Sequence, residues 1–224
     1  GTKFTIAISS AKGGVGKSTF ATNLALALKK IGCKVGLLDA DIYGPSIPQM
    51  MGIPISSPKV AEENKFFPHE KYGLKVVSAA FLTKQGQPLM LRGPMLGGII
   101  QQFLQNVEWG ELDYLFVDLP PGTGDVHLSL IQSIPLDGVV IVSTPQEVAL
   151  ADARRGVNMF KMDNVNVPII GLVENMSWFT PEELPDNKYY IFGRDGAKNL
   201  SEGLNISFLG QVPIVQSLRE SGDT

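Results

Sequence analysis

Short runs of apolar residues alternate along this chain with longer stretches in which apolar residues recur every three or four positions. The first pattern is typical of strands buried on both faces, and the second is typical of amphipathic helices. We predict strands at Phe4–Ser9, Val35–Asp39, Lys75–Ala79, Tyr114–Asp118, Gly138–Ser143, Ile169–Val173 and around Phe208–Leu209. Helices are predicted at Lys17–Lys30, which Gly32 is expected to end, and at Leu96–Asn106, Asp125–Ser133, Gln146–Met162 and Asp195–Gly203.

The alternation of strands and helices predicts an α/β fold, a single doubly wound, mostly parallel sheet with helices on both faces. We expect one domain over residues 1–224, because the sequence shows no internal repeat and no low-complexity linker. The segment Ile42–Gly73 contains eight Gly or Pro residues and is predicted to be a surface excursion. Residues Asn187–Ile191 are predicted to form a short strand or a loop.

Composition and charge argue against several classes of protein. The 224 residues carry 19 Lys and Arg against 22 Asp and Glu, a formal net charge of −3, whereas a domain that binds nucleic acid normally has a basic excess. No apolar run approaches the roughly 18 residues that could span a bilayer. The first residues, Gly1 to Phe4, lack the apolar stretch of a signal peptide. We therefore expect neither nucleic acid nor a membrane as a partner.

Cysteine and histidine are rare in this sequence. Cys33 is the only cysteine, which excludes a disulfide within the chain and is typical of a reducing compartment, so we predict a cytoplasmic protein. Because Cys33 precedes the second strand, it is expected at the amino end of the sheet as a small buried residue. His69 and His127 are isolated in the sequence and are predicted to lie on the surface.

A glycine-rich segment, AKGGVGKS at residues 11–18, separates the first strand from the first helix. It differs from the general phosphate-loop pattern only in that Ala11 replaces the first glycine. Its glycines let backbone N–H groups approach a polyphosphate, and the positive end of the following helix favours the same anion. Lys17 is predicted to contact the β- and γ-phosphates and Ser18 to coordinate Mg²⁺. The alternative is a glycine-rich turn that carries a surface lysine.

Acidic residues follow two of the predicted strands. Asp39 and Asp41 come after one strand and Asp118 ends another. Because ligands of doubly wound sheets bind at the carboxyl ends of strands, these carboxylates are expected to face the phosphates, although Asp39 and Asp41 could instead be exposed turn residues. Asp118 is predicted to lie beside the metal, and the Gly122 N–H is the predicted sensor of the γ-phosphate. Asp125 belongs either to this loop or, as we predict, to the N-cap of the next helix.

The loop KGGVGKS, with its early Lys12, resembles the deviant Walker A loop of the MinD/ParA/Mrp class of P-loop ATPases. In that class the early lysine reaches the partner's nucleotide, so the resemblance implies a homodimer that encloses nucleotide. The alternative for Lys12 is a solvated side chain. The residues after the second strand resemble switch I of the class, which implies that Asp41 positions the attacking water and that Asp39 lies near the Mg²⁺ shell.

Motifs along nearly the whole chain resemble the Mrp/ApbC family of iron–sulfur cluster carrier ATPases. The resemblance implies that Asn175 contacts adenine, for which a turn residue is the alternative, and that the loop around Pro213 closes the base pocket. DIYGPSIPQM and LRGPM separate this family from MinD and ParA. The motifs are KGGVGKST, LLDADIYGPSIPQMMG, LRGPM (Leu91–Met95), YLFVDLPPGTGD, STPQEVALADARR (Ser143–Arg155), VENMSWF (Val173–Phe179), IFGRDGAKNL (Ile191–Leu200) and FLGQVPIVQSLRESGD (Phe208–Asp223).

Together, the motifs and the resemblance define a set of expected site residues. ATP is expected to bind at Lys12, Gly13, Gly14, Val15, Gly16, Lys17, Ser18, Thr19, Gly122, Asn175 and Pro213. Mg²⁺ is expected at Ser18, Asp39 and Asp118. Catalytic roles are expected for Lys12, Lys17 and Asp41.

One motif of the family is missing. In the family, Cys-Pro-x-Cys follows the aromatic residue that corresponds to Phe179, and two cysteines from each subunit bridge the cluster. This chain has Thr180 and Glu183 at the two cysteine positions. Hydroxyl and carboxylate groups do not replace thiolates as ligands of a [4Fe–4S] cluster. An iron–sulfur cluster is therefore implied by the resemblance but put in doubt by these two residues.

The sequence supports one leading function and two alternatives. The leading function is a Mg²⁺-dependent ATPase whose nucleotide-controlled homodimer acts in assembly or transfer of iron–sulfur clusters, with apo-proteins or scaffold proteins as partners. The first alternative is an ATP-dependent positioning switch like MinD or ParA, although residues 211–224 lack a basic amphipathic stripe. The second is a reductase component resembling the nitrogenase iron protein, which also needs bridging cysteines.

Overall fold

The computed structural model describes residues 1–56, 65–82 and 92–215. Apolar runs form the strands, and segments with helical periodicity form the helices. The strands are β1 (Thr2–Ser9), β2 (Val35–Asp39), β3 (His69–Lys71), β4 (Leu74–Ser78), β5 (Leu112–Asp118), β6 (Gly138–Ser143), β7 (Ile169–Glu174) and β8 (Phe208–Gln211). The helices are α1 (Lys17–Lys30), α2 (Ile47–Met50), α3 (Gly93–Asn106), α4 (Asp125–Ser133), α5 (Glu147–Phe160) and α6 (Gly196–Leu204), and Ala79–Leu82 forms a 3₁₀ turn.

The eight strands of the described residues join one sheet in the order β3-β4-β2-β5-β1-β6-β7-β8. Every neighbouring pair is parallel except β3 and β4, which are antiparallel. The predicted fold class, a doubly wound and mostly parallel sheet, is therefore confirmed. The sequence pattern did not predict β3, because its three residues, His-Glu-Lys, carry no apolar run.

Two apolar cores cover the two faces of the sheet. Alternate residues of β5 enter different cores: Leu115 and Val117 pack with helices α3 to α6, whereas Phe116 packs on the side of α1 and α2. This alternation follows from strand geometry, because successive side chains point to opposite faces. Among the helices of the described residues, none is long and apolar enough to cross a membrane.

The segment Ile42–Gly73 is not the surface excursion that its glycines and prolines predict. Ile47, Met51 and Ile53 are buried, and α2 packs on the α1 side of the sheet. The apolar residues that anchor this segment are separated by Gly and Pro and show no periodicity, which is why the pattern did not indicate their burial. Residues 57–64 lie outside the described residues.

The burial of the two histidines and of Cys33 also differs from the burial that the sequence predicts. His127 is 4% exposed, and its ring lies edge-on to Phe160 at 6.5 Å, because it shares the apolar face of α4 with Leu130 and Ile131. His69 is half-buried, with its ring 4.6 Å from that of Phe81. Cys33, in the turn between α1 and β2, is only partly buried.

We predict that His127 makes the protein less stable at acidic pH. Burial lowers the pKa of His127 to about 4, and the Pro120 carbonyl opposes this effect only in part. An unfolded histidine has a pKa of about 6.5. Between these two values the unfolded chain binds the proton more readily. The stability contributed by the neutral buried ring is therefore complete above pH ~6.5 and is lost as the pH falls toward 4.

Urea unfolding of the wild type and of His127→Leu, at about pH 7 and about pH 4.5, measures this effect. Leucine has a similar volume and cannot take up a proton. The wild type should lose about 2 kcal/mol more than the variant between the two pH values. Equal losses would show that His127 does not contribute to acid sensitivity.

Candidate functional site

The phosphate loop lies between the carboxyl end of β1 and the first turn of α1. Gly14 and Gly16 have φ angles of 77° and 79°, a left-handed conformation that residues with a Cβ adopt only with strain. Gly16 precedes the helix, and among the residues that the structure describes no side chain caps the first turn of α1. The N–H groups of this turn can therefore bind an anion.

A buried ion pair joins this loop to the end of β5. Lys17 Nζ lies 2.5 Å from Asp118 Oδ1, and their side chains are 6% and 0% exposed. The Ser18 hydroxyl donates a hydrogen bond of 2.6 Å to the other oxygen, Asp118 Oδ2. Both oxygens of the carboxyl group are thus bound, as a buried ion pair requires. The structure therefore brings together three predicted site residues from two distant parts of the sequence.

Carboxyl groups are crowded at this edge of the sheet. Asp39 and Asp118 are direct partners in the register of β2 and β5. Burial, together with the charge of Asp118, raises the pKa of Asp39 to about 8, against hydrogen bonds from the Asp41 N–H and the Ser78 hydroxyl. Burial also raises the pKa of Asp118, against the attraction of Lys17. Among the described residues, three buried carboxyl groups, of Asp39, Asp41 and Asp118, lie at this edge beside the buried ammonium group of Lys17.

Ser78 is a site residue that sequence reasoning missed. Its hydroxyl donates to Asp39 Oδ2 at 3.1 Å, and it accepts the Ala80 N–H. The sequence contained a signal for this role, because Ser78 is a polar residue near the carboxyl end of a predicted strand. Asp41 is 7% exposed and accepts the N–H groups of Tyr43 and Gly44, so its carboxyl group holds the loop after β2 in a turn.

The loop after β5 lies against the phosphate loop. The Gly122 N–H, the predicted phosphate sensor, donates to the Ser10 carbonyl at 3.0 Å in this structure. The prediction that Asp125 is the N-cap of α4 is wrong. The N-cap is Gly124, whose carbonyl accepts the first helical hydrogen bond, from Leu128, and Asp125 is the first residue of the helix. Lys12, next to the loop glycines, forms no ion pair within the described part of the chain.

A cavity of about 290 Å³ opens beside the first turn of α1. Asn175 lies in its wall, 9% exposed, and its side-chain amide donates to the Val15 carbonyl at 2.8 Å. The structure thus places Asn175 and Pro213 in one cavity, next to the phosphate loop, although they are far apart in the sequence. The remaining lining residues are Gly16, Thr19, Phe20, Asn23, Leu24, Met176, Val212, Ile214 and Val215.

The two positions that replace the missing cysteines lie in the turn after Phe179. Thr180 is partly buried and Glu183 is exposed. Cys33, the only thiol of the chain, precedes β2 and so lies at the amino end of the sheet, away from this turn. In the described ranges no group of three His, Cys, Asp or Glu residues is arranged to hold a metal ion. The side chains of this turn do not fit an iron–sulfur cluster, whose iron binds thiolates.

The whole chain, residues 1–224, matches the family model described as ParA, NUBPL iron-transfer P-loop NTPase. The chain belongs to this NUBPL iron-transfer family. It is 54% identical over 221 residues to the iron-sulfur cluster carrier protein of Synechocystis, covering 97% of this chain and 62% of that relative. It is 52% identical over 225 residues to the iron-sulfur cluster transfer protein NUBPL of Dictyostelium discoideum, covering 100% of this chain and 69% of that relative.

Solved structures agree with this assignment. A nucleotide-binding protein from Archaeoglobus fulgidus in complex with ADP superposes with a TM-score of 0.86 at 39% identity, over 99% of this chain and 86% of that chain. The MinD protein of Pyrococcus horikoshii, complexed with Mg-ADP, gives a TM-score of 0.70 at 18% identity, over 99% and 85% of the two chains. The second likeness shows the fold alone, so the comparisons do not favour a positioning switch over the NUBPL family.

We expect Gly16→Ala to destabilise this NUBPL-family protein more than Gly14→Ala, its matched control. Each alanine costs about 1 kcal/mol or more through its left-handed φ. At Gly16 the new Cβ would also overlap Asn175 Nδ2, whereas at Gly14 it would meet no atom of the described residues within 4 Å other than those of its chain neighbours. The displaced Asn175 amide would lose its hydrogen bond to the Val15 carbonyl, worth about 1 kcal/mol.

Urea unfolding of the nucleotide-free variants measures this difference. Gly16→Ala should be less stable than Gly14→Ala by about 1 kcal/mol. If both variants lose the same free energy of unfolding, the contact between the loop and Asn175 carries no stability.

Proposed function

We propose that this protein is a Mg²⁺-dependent ATPase that acts in assembly or transfer of iron–sulfur clusters through a nucleotide-controlled homodimer. One observation carries the proposal. At the start of α1, Lys17 and Ser18 both bind the buried carboxyl group of Asp118, next to a cavity of about 290 Å³. A cationic loop, an acidic strand end and a cavity beside the same helix are the parts that a nucleoside triphosphate requires.

In this proposal the phosphates bind the phosphate loop, residues 12–19. Backbone N–H groups from Gly13 to Thr19 contact the phosphate oxygens, and Lys17 exchanges Asp118 for the β- and γ-phosphates. The base occupies the cavity between Asn175 and Pro213. Lys12, which has no ion-pair partner within the described part of the chain, reaches the nucleotide of the second subunit.

Two residues at strand ends and one in the first turn of α1 fit a magnesium ion. A hydroxyl group and carboxylates, from Ser18, Asp39 and Asp118, are the oxygen ligands that Mg²⁺ prefers, and it usually also keeps waters and substrate phosphates as ligands. Burial and, after it, the charge of Asp118 raise the pKa of Asp39 to about 8, and a bound cation would oppose both effects. When bound, Mg²⁺ supplies positive charge to the oxygen that bridges the β- and γ-phosphates.

Hydrolysis in this proposal is mainly electrostatic. Lys17 and Lys12 stabilise the negative charge that develops on the phosphate oxygens in the transition state. Asp41 orients the attacking water. Its place in the loop after β2, held by the N–H groups of Tyr43 and Gly44, supports this role because the carboxyl group stays at the phosphate edge of the sheet. Gly122 responds to the γ-phosphate by releasing the Ser10 carbonyl.

The cargo, an iron–sulfur cluster, is assigned through the family. Two relatives carry names that specify carrier or transfer proteins for this cluster, and this chain covers 62% and 69% of their lengths. Since Thr180 and Glu183 supply no thiolate, we propose that apo-proteins or scaffold proteins provide the cluster ligands during transfer.

The proposal also includes the domain organisation, the compartment and the partners of the protein. The participation of all eight strands in one sheet supports a single ATPase domain over residues 1–224. The single cysteine supports a reducing, cytoplasmic location. A net charge of −3 supports protein partners rather than nucleic acid or anionic membranes.

Each of the variants Lys17→Ala and Asp41→Ala is expected to slow ATP hydrolysis by a factor on the order of 100 or more, because each removes a group that acts on the transition state. Lys29→Ala is the matched control, since Lys29 is an exposed lysine in the last turn of the same helix. Release of inorganic phosphate from ATP and Mg²⁺ is measured for all three, with thermal unfolding to confirm that they fold. Unchanged rates in both Lys17→Ala and Asp41→Ala would contradict the mechanism.

Introducing the family's two cysteines at positions 180 and 183 should create a cluster site. The double variant Thr180→Cys with Glu183→Cys places thiols three residues apart in an accessible turn. After anaerobic reconstitution with iron and sulfide, this variant should retain iron on gel filtration, whereas the wild type should retain none. The control, Thr180→Ser with Glu183→Gln, should behave as the wild type. Stable iron in the wild-type chain would show that other side chains bind the cluster.

A further inference from the structure

A buried carboxyl group at the end of β7 has no role in the phosphate chemistry proposed above. Glu174 is 0% exposed and directly precedes Asn175. Burying a carboxyl group is unfavourable unless hydrogen bonds replace those it made to water. Its partners therefore indicate what Glu174 holds in place.

The side chain of Glu174 joins three elements of the fold. Its Oε2 accepts the Ala197 N–H, in the first turn of α6, at 2.8 Å. Its Oε1 accepts a hydrogen bond of 3.1 Å from Nε2 of Gln211, which is the last residue of β8. The same nitrogen also donates a hydrogen bond of 3.0 Å to Asp195 Oδ1. Because both acceptors belong to carboxyl groups, the orientation of the Gln211 amide is fixed.

The main chain of Glu174 continues this network toward the cavity. Its carbonyl accepts the Val212 N–H at 2.8 Å and the Ser177 hydroxyl at 3.0 Å. The Ser177 N–H in turn donates to the Val212 carbonyl at 3.0 Å. The side chain of Glu174 thus binds Gln211 while its main chain binds the next residue, Val212.

Two of the segments that line the base cavity, opposite helix α1, start at this network. Asn175 and Met176, which follow Glu174, form one segment, and Val212 and Pro213, which follow Gln211, form the other. The separation of these two segments is therefore set by bonds that converge on Glu174.

We propose that Glu174 is a positioning residue that fixes the width of this cavity and so makes the site selective for the adenine base of a nucleotide. The inference rests on the proposed function, since it assumes that the cavity holds the base. A rigid wall rejects a purine whose ring substituents differ, because such a base leaves polar groups unpaired or displaces the wall. Glu174 itself touches no phosphate and takes no part in hydrolysis.

The test compares ATP with GTP as substrates of the full chain. Glu174→Gln keeps the size of the side chain but places an NH₂ group opposite a neighbour that donates a hydrogen bond. We expect the KM for ATP to rise about tenfold, kcat to stay within about twofold, and the ratio of kcat/KM for ATP to that for GTP to fall. A purely structural role would lower Tm without changing this ratio.

Three further variants keep the test decisive. Glu202→Gln makes the same chemical change at an exposed position of α6 and should match the wild type. Gln211→Met removes the bond to Glu174 at a half-buried position and should shift KM and selectivity in the same direction as Glu174→Gln. The exchange Glu174→Gln, Gln211→Glu, Asp195→Asn restores complementary donors and acceptors and should recover selectivity. Residue 195 has φ 57°, which asparagine tolerates.

The outcomes separate this inference from the proposed function. If the wild type hydrolyses ATP and neither Glu174→Gln nor Gln211→Met changes KM or selectivity, the positioning role is wrong and the proposed function stands. If these variants lower kcat with KM unchanged, the positioning role is also wrong. If the wild type binds no ATP, the proposed function fails and this inference fails with it.

Discussion

The arrangement of the site depends on one buried interaction, the contact of Lys17 and Ser18 with the carboxyl group of Asp118. A buried carboxyl group is costly unless its oxygens are bound, and here one oxygen meets the ammonium group and the other meets the hydroxyl group. The pair forms only if the start of α1 lies above the end of β5. This position follows from the pairing of β1 with β5, in which Ile8 lies opposite Asp118. The register of the sheet therefore determines that Lys17 and Ser18 meet Asp118.

Helix α1 divides the site into two halves with different physical character. On the side of β2 and β5, several carboxyl groups are buried beside Lys17, and burial, followed by the charge of Asp118, raises the pKa of Asp39. On the side of β7 and β8, an apolar cavity is bordered by Asn175 and Pro213. The chain order produces this division. From β1 the chain crosses β5 to reach β2 on one side, whereas from β6, the neighbour of β1 on the other side, it continues to β7 in the opposite direction. Such a reversal is the switch point where doubly wound sheets bind ligands.

The sequence predicted those features that depend on local pattern. Strands such as Val35–Asp39 and Gly138–Ser143 were predicted to the residue, because buried parallel strands read as apolar runs between turns. The phosphate loop and the strand-end carboxyl groups were predicted in the same way, from residues that lie close together in the sequence. Features that depend on contacts between distant residues were not predicted. They include the burial of His127 and Ile47, the Ser78 contact with Asp39, and the network around Glu174, whose members come from three elements.

The residues that directly precede the turn in place of the cysteine motif are bonded to the wall of the cavity beside α1. The Ile214 N–H donates to the Trp178 carbonyl at 2.7 Å, and Phe179 pairs with Ile214 as an isolated bridge. Pro213, in the cavity wall, lies between Val212, which is bonded to Ser177, and Ile214, which is bonded to Trp178, and both partners directly precede this turn. A displacement of the wall must therefore carry the turn with it or break these bonds. In the proposed function, a movement of the cavity wall on nucleotide binding would therefore reach this turn without a distant relay, whichever residues occupy positions 180 and 183.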